Sequence, residues 1–443
     1  MQSYFPATAV RGAFLDFIDD PFFTPAAQSV RYLRDGLLVI DQGKIQAFGP
    51  YAELAPHFGY LPTITHPQKL LLPGFIDLHI HYPQTEMIAA YGAQLMEWLE
   101  QYTFPTEAKF KDLNYARTIA NFFINELLRN GTTTAVVMPT TFPESVQALF
   151  ETAEDHQMRL IAGQVLMSRH TPAALVNDAH IAYGQMLEQI QTWHGRGRLL
   201  YAITPRFAIT STPEELTLAG QLKQQHPGIY VHTHLSENLK EIEQTAALFP
   251  TATDYLNVYE QFGLVGERTI LAHCIHLDNA AFTRLSQAGA TIAFCPTSNL
   301  FLGSGLFRLG QAKSAQAPVS IGLATDVGGG TSFSLLQTMA DAYKVMQLQG
   351  ESLSAFQAFY LATLGAAQAL SLDDQLGNFM VGKEADFIAL NLQATPLMAL
   401  RNPNPLPHTL ETLADALFAT MMLGDDRAIA ATYIAGMLAY RNN

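Results

Sequence analysis

Leu70-Leu71-Leu72-Pro73-Gly74-Phe75-Ile76-Asp77-Leu78-His79-Ile80-His81 is an apolar run that ends in two histidines spaced two apart. It reads as one buried strand. Alternate strand residues face the same way, so both imidazoles point to one side at its C-terminal end. From here on, strands and helices alternate. Apolar strands are expected at 132–138, 159–167, 199–207, 229–235, 269–275, 291–296 and 320–326, which with 70–81 makes eight. Near-continuous apolar strands suit a parallel sheet buried on both faces. Helical spacing over Asn114–Leu128 is closed by Asn130-Gly131. Ser211-Thr212-Pro213-Glu214-Glu215 opens another helix with a cap, a first-position proline and early acids. Eight β/α units predict an α/β fold, a closed (β/α)8 TIM barrel. An open doubly wound sheet is the alternative, and no glycine-rich dinucleotide turn follows the first strand to support it.

Working outward, Ala9–Ile18 and Val30–Phe48 are rich in β-formers, with turns at Asp35-Gly36 and Gln42-Gly43-Lys44. After Ser371 the alternation is expected to stop. Gly382-Lys383-Glu384-Ala385-Asp386 leads into a short strand, Phe387–Leu390, and Ile429–Tyr440 reads as a hairpin around Ala435-Gly436. Both termini thus supply strands outside the barrel. The expectation is a small β-sandwich domain made of residues 1–69 and 376–443, with the barrel spanning 70–375.

Of the 443 residues 49% are hydrophobic and 14% charged, which supports a large core and excludes global disorder. A net charge of −14 argues against a nucleic-acid-binding surface. Two cysteines, Cys274 and Cys295, exclude a disulfide scaffold and suit a reducing cytoplasm. Met1–Val10 shows no signal-peptide pattern, and the apolar runs are too short to span a membrane. A cytoplasmic location is expected, with no membrane or nucleic-acid partner.

Barrel active sites form at the C-terminal ends of strands. His79 and His81 end the first strand, His234 the fifth and Asp326 the eighth, and His273 lies near the end of the sixth. Each alone has an ordinary use: a strand histidine is usually a hydrogen-bonded core residue, and Asp326 could cap the following helix. Together, four strand ends bring five metal-capable side chains to one rim. Imidazole and carboxylate suit zinc or iron, and no cysteine points to a structural zinc knuckle. His232 lies two residues deeper and reads as a core histidine; His276 is left unassigned. Glu237 lies just past the fifth strand. There a carboxylate can pass protons between water and a substrate, or serve only as a first-turn helix acid.

Pro73–His81 is similar to the PGFID-H-H signature of the amidohydrolase superfamily, and His234, His273 and Asp326 fall where its later ligands fall. The fourth strand ends in Thr204-Pro205-Arg206 with no lysine, so the chain resembles the single-metal branch. Within it, His81-Tyr82-Pro83-Gln84, Thr103-Phe104-Pro105-Thr106-Glu107, Thr204-Pro205-Arg206-Phe207, His232–Asn238 and Cys295–Leu300 with Gly303–Phe307 resemble the guanine deaminase family. The resemblance covers essentially the whole chain. It implies one Zn2+ per subunit, with Fe2+ the other candidate, held by His79, His81, His234 and Asp326. His273 would be a fifth ligand or a hydrogen-bond partner of the activated water. Asp326 would take the water's proton, and Glu237 would protonate the ring nitrogen beside C2 of guanine, giving xanthine and ammonia. Gln84, Arg206 and Phe207 would contact the purine beside His234 and Glu237. Arg206 carries only donors and suits O6 and N7, Gln84 reads a mixed edge, and Phe207 stacks. A homodimer is also implied. Without the resemblance, Arg206 reads as a rim salt bridge and Phe207 as core.

Trp98, on the long loop Tyr82–Lys111, either helps close the site or packs structurally. The alternatives are a related deaminase or chlorohydrolase acting on another nucleobase, pterin or triazine, and a catalytically silent barrel acting as an assembly protein. The former should lack the Gln84–Arg206 pair; the latter should lack ligands. The cysteine-liganded zinc deaminases need a P-C-x-x-C run that is absent from this sequence.

Overall fold

The computed structural model describes residues 7–92 and 95–442. Residues 1–6 and 443 of the expected terminal segments, and 93–94 of the expected loop, lie outside them. Eight strand positions follow one another in a nearly closed parallel barrel. They are β1 (Phe75–His81), β2 (Thr132–Met138), β3 (Arg159–Ala162, resumed at Val165–Leu166), β4 (Leu199–Pro205), β5 (Tyr230–Leu235), β6 (Thr269–His273), β7 (Thr291–Phe294) and β8 (Ser320–Leu323). The two ends meet where Asp326 N donates to His79 O and His81 N donates to Val327 O, both at 2.9 Å. Every residue of β1 and β2 is buried, the polar ones included.

The run 70–81 is two strands, not one. Thr63–Pro73 belongs to a separate sheet, where Leu70–Pro73 pair antiparallel with Phe387–Leu390, and β1 starts only at Phe75. Gly74 is the joint: a Cβ there would lie 2.1 Å from Thr133 Oγ1. Leu70–Pro73 is buried like β1, so the apolar run continues through the break and periodicity cannot find it. The 159–167 strand is likewise interrupted at Gly163-Gln164. A Cβ on Gly163 would sit 1.8 Å from the carbonyl oxygen of Ala202. Gly163→Ala is therefore expected to destabilise the fold by about 1–3 kcal/mol through overpacking. Gly184 is an exposed position of helix Ala179–Trp193 with nothing near its missing Cβ. Gly184→Ala should stabilise by up to about 1 kcal/mol. Denaturant unfolding of both variants checks the opposite signs.

The strands of the two termini join in one seven-stranded sheet: Thr8–Phe17, Val30–Asp41, Lys44–Pro50, Thr63–Pro73, Phe387–Leu390, Ile429–Ile434 and Met437–Arg441. Its core holds Phe14, Leu38, Phe387 and Tyr433, and the last two rings stack 4.3 Å apart. The final hairpin turns at Ala435-Gly436, both left-handed (φ 49° and 78°), as a two-residue hairpin turn requires. Two helices lie between the last strands of this sheet. Pro396–Arg401 and Leu410–Leu423 follow Phe387–Leu390, the second capped by Thr409 and burying Leu413, Ala416 and Leu417 at helical spacing.

The expected loop Tyr82–Lys111 folds into short helical turns, Tyr82–Met87, Leu95–Trp98, Leu99–Thr103, Phe104–Glu107 and Ala108–Lys111. Leu95, Trp98, Leu99 and Phe104 pack in one apolar cluster with Phe207 and Leu302, and that burial orders the segment. Among the described residues no helix is long and apolar enough to cross a membrane. The chain divides into two compact units. All the site residues below belong to the unit formed by Asp77–Ile124 and Ala135–Phe333.

Candidate active site

β1 delivers three polar side chains at a spacing of two: Asp77, His79 and His81. Asp77 is fully buried. It accepts from Thr325 N (3.1 Å), Thr325 Oγ1 (2.5 Å) and His79 N (3.2 Å), tying β1 to the chain just after β8. Burial pushes its carboxyl up to about 7 against those hydrogen bonds. Above it the imidazoles converge. His81 Nε2 lies 3.2 Å from His79 Nε2 and 3.3 Å from His234 Nε2. Asp326 Oδ1 stands 3.1 Å from His79 Nε2 and 3.4 Å from His81 Nε2. His273 Nε2 is slightly farther out, 3.6 Å from both Asp326 Oδ2 and Glu237 Oε2.

The second ring nitrogens explain the arrangement. His234 Nδ1 lies 2.7 Å from the carbonyl of Arg206, so it must carry a proton and donate it. His273 Nδ1 lies 2.8 Å from Asn299 Oδ1, and His79 Nδ1 lies 2.6 Å from His232 Nε2. With Nδ1 as the donor in each, Nε2 is left as a lone pair aimed into the cluster. Burial, with neighbouring imidazoles adding to it, holds His81, His232 and His234 well below the usual histidine range, and burial lowers His79 too. These rings are therefore neutral. Three neutral Nε2 atoms meeting at 3.2–3.3 Å beside one carboxylate form a compact donor set of the kind that a divalent cation takes. The possible ligand atoms of His79, His81 and His234, and of His79, His273 and Asp326, lie within 4.8 Å of one another in each group. This set could hold a divalent metal. Asp326 is held below the usual carboxylate range: burial opposes this, and His79 and His273 overcome it. His273 behaves oppositely to the other rings. Burial lowers it, but Glu237 and Asp326 raise it above its ordinary value.

Glu237 follows β5 and is buried. Ser304 Oγ donates to its Oε1 at 3.0 Å. Burial pushes its carboxyl up to about 7, His273 opposing and Glu241 and Asp326 adding to the rise. The pocket facing this rim is lined by Gln84, Arg206, Phe207, His234, Glu237 and Trp98 among others. Phe207 sets its ring 6.4 Å from that of His234. Arg206, just past β4, is buried in a salt bridge with Glu107.

The chain matches the amidohydrolase family over residues 70–438. It is 52% identical to guanine deaminase of Escherichia coli, over 98% of each chain. The chain belongs to the amidohydrolase family, among its guanine deaminases. This amidohydrolase superposes on the crystal structure of guanine deaminase from Bradyrhizobium japonicum with a TM-score of 0.96 at 40% identity, covering 99% of this chain and 100% of that one. On guanine deaminase from C. acetobutylicum with bound guanine in the active site, the TM-score is 0.86 at 27% identity, covering 98% and 100%.

The amidohydrolase site brings together every residue singled out in the sequence. It also gives roles to residues that the sequence left as core, unassigned or unremarked. His232 is a core histidine, as expected, but it also fixes the orientation of the His79 ring. Asn299 does the same for His273. Glu241 accepts from the backbone N–H groups of Glu237 and Asn238 at 2.9 and 3.1 Å and from Tyr255 OH at 2.7 Å, fixing the turn that carries Glu237. His276 anchors Ser304 through its carbonyl at 2.8 Å. Only Asp77 had a readable signal, its spacing of two from His79. Three strand ends of this amidohydrolase turn through left-handed residues, Ser236 (φ 51°), His273 (φ 70°) and Asp326 (φ 49°). Each costs about 1–3 kcal/mol for a non-glycine residue, a strain that concentrates at functional sites.

Proposed function

We propose that the chain hydrolyses guanine to xanthine and ammonia, using one zinc ion per subunit held by His79, His81, His234 and Asp326. The observation that carries this reading is the convergence of those neutral imidazoles and one carboxylate beside a pocket lined by Gln84, Arg206, Phe207 and Glu237. A bound divalent metal supplies the acidity that makes water a nucleophile near neutral pH. The side chains do the rest. Asp326, ionised and beside the imidazoles, takes the proton of the attacking water. Glu237, whose carboxyl sits at about 7, passes a proton to the ring nitrogen next to C2 and later to the departing amine. His273 lies within 3.6 Å of both carboxylates and orients the water between them. Arg206 donates to the acceptor edge of the purine, Gln84 reads the adjoining edge, and Phe207 stacks. A homodimer in the cytoplasm completes the reading; the two thiols, Cys274 and Cys295, are buried and free, as a reducing compartment allows.

Ammonia release from guanine, adenine, cytosine and a pterin, each with and without a chelator, tests the reading. Release from guanine that is selective and chelator-sensitive is expected. A metal-loaded protein that leaves guanine untouched overturns the substrate and the roles of Gln84 and Arg206.

A further inference from the structure

We infer that Glu107 is a positioning residue that sets which purine edge the pocket accepts, by holding Arg206 and Gln84 in one arrangement. The inference rests on the guanine reading above. Glu107 ends the turn Phe104–Glu107 and is fully buried. Both of its oxygens accept from Nη1 of Arg206, at 2.8 and 2.9 Å. Its Oε1 also accepts from Nε2 of Gln84, at 3.2 Å. A carboxylate paired with a guanidinium can only accept hydrogen bonds. The end of the Gln84 amide that faces it must therefore be the NH2 group, which turns the carbonyl oxygen away from Glu107. Gly328 packs on the same side chain: a Cβ there would lie 2.8 Å from Gln84 Cβ and 3.0 Å from Oε1.

Arg206 is constrained in the complementary way. Both bonds to Glu107 leave from one nitrogen, and among the described residues its Nη2 and Nε make no other side-chain hydrogen bond. Arg206 and Gln84 both line the pocket. Glu107 thus fixes a pattern of donors from Arg206 beside an acceptor from Gln84. Guanine is its complement, with acceptors at O6 and N7 and donors at N1 and the 2-amino group. In 2,6-diaminopurine the 2-amino group is unchanged, but a donor replaces O6 and meets the guanidinium. Mismatch of buried hydrogen-bonding groups is the strongest discrimination a pocket can make. Glu107 also cancels the charge of Arg206, so the pocket favours a neutral ring.

Glu107→Gln keeps the shape, removes the charge and lets either end of the new amide face Gln84. The measurements are KM and kcat for guanine, Ki for 2,6-diaminopurine as a competitor, bound metal and Tm, for wild type and variant. The expected result is a KM for guanine raised about 10-fold or more with kcat within about 3-fold, and a Ki-to-KM ratio lowered about 10-fold or more. Metal content stays unchanged. A residue that merely supports the fold weakens both purines alike, and an unchanged ratio overturns the inference. Should E107Q not fold, Arg206→Met is compared with Arg206→Met/Glu107→Gln, in which both ends of the buried pair are replaced. In this background E107Q releases only Gln84, one of the two groups that Glu107 holds, so it should change the ratio by less than about 3-fold. A change of about 10-fold or more there overturns the inference. A wild-type protein without guanine turnover defeats the guanine reading itself. A guanine-active wild type whose ratio survives E107Q defeats this inference alone.

Discussion

Glu237→Gln is expected to lower kcat for guanine by about 10²–10⁴-fold, the range general acid–base groups contribute, with metal content and Tm unchanged. The residue is 3% exposed and makes one side-chain hydrogen bond, from Ser304 Oγ. Glutamine fills the same space and can accept that bond through its amide oxygen. The fold therefore has no reason to change, and His79, His81, His234 and Asp326 all stay in place. The amide lacks a transferable proton. A carboxyl pushed by burial to about 7 exchanges its proton near neutral pH, whereas an ordinary glutamate would already be ionised and a poor donor. KM should stay within a few-fold, because the loss falls on the transition state. Steady-state kinetics with metal analysis checks this. A fall of less than about 10-fold removes Glu237 from the proton-transfer role.

Asp326→Asn has the second large effect, and it reads out in two ways. Asp326 is the one anionic member of the cluster, 3.1 Å from His79 Nε2, and its carboxylate is the negative charge that offsets a divalent cation there. Asparagine keeps an oxygen but not the charge. Metal affinity should fall by at least the about 10–100-fold that loss of a supporting group costs, and loss of the base should cost a further 10²-fold or more in kcat. A ligand that binds only the folded state at 100 times its Kd stabilises by about 2.7 kcal/mol. Adding metal to the stripped wild-type protein should therefore raise Tm, and the variant should lose most of that rise. Metal analysis after dialysis and thermal scans with and without zinc give the answer. A variant that keeps wild-type metal and more than about a tenth of the activity takes Asp326 out of the metal site and the reaction alike.

Much of this protein was legible in its sequence because the governing physics is local. Eight apolar runs separated by helical spacing gave the barrel, since a strand covered on both faces must be apolar along its whole length. The convergence of His79, His81, His234, His273 and Asp326 followed from two rules, that alternate residues share a face and that barrel chemistry gathers at strand ends. Thr212 and Gly131 stand at helix ends for reasons confined to one turn of chain. The break at Gly74 was not legible, because the residues flanking it, Leu70–Pro73 and Phe75-Ile76, are all buried and apolar.

What the tertiary structure alone decided is which distant groups share a hydrogen bond. His79 and His232 are 153 residues apart and meet at 2.6 Å, and this contact orients the ring whose Nε2 turns to the cluster. Glu107 and Arg206 are 99 residues apart, and their pairing fixes how the pocket presents its donors. Ser236, His273 and Asp326 take left-handed backbone at strand ends, a conformation their residue types permit but do not require. Burial pattern and capping arise within a few residues, and a sequence carries them openly. Partner choice and strain arise when the barrel closes and a buried polar group must be satisfied by whatever the fold has brought within reach.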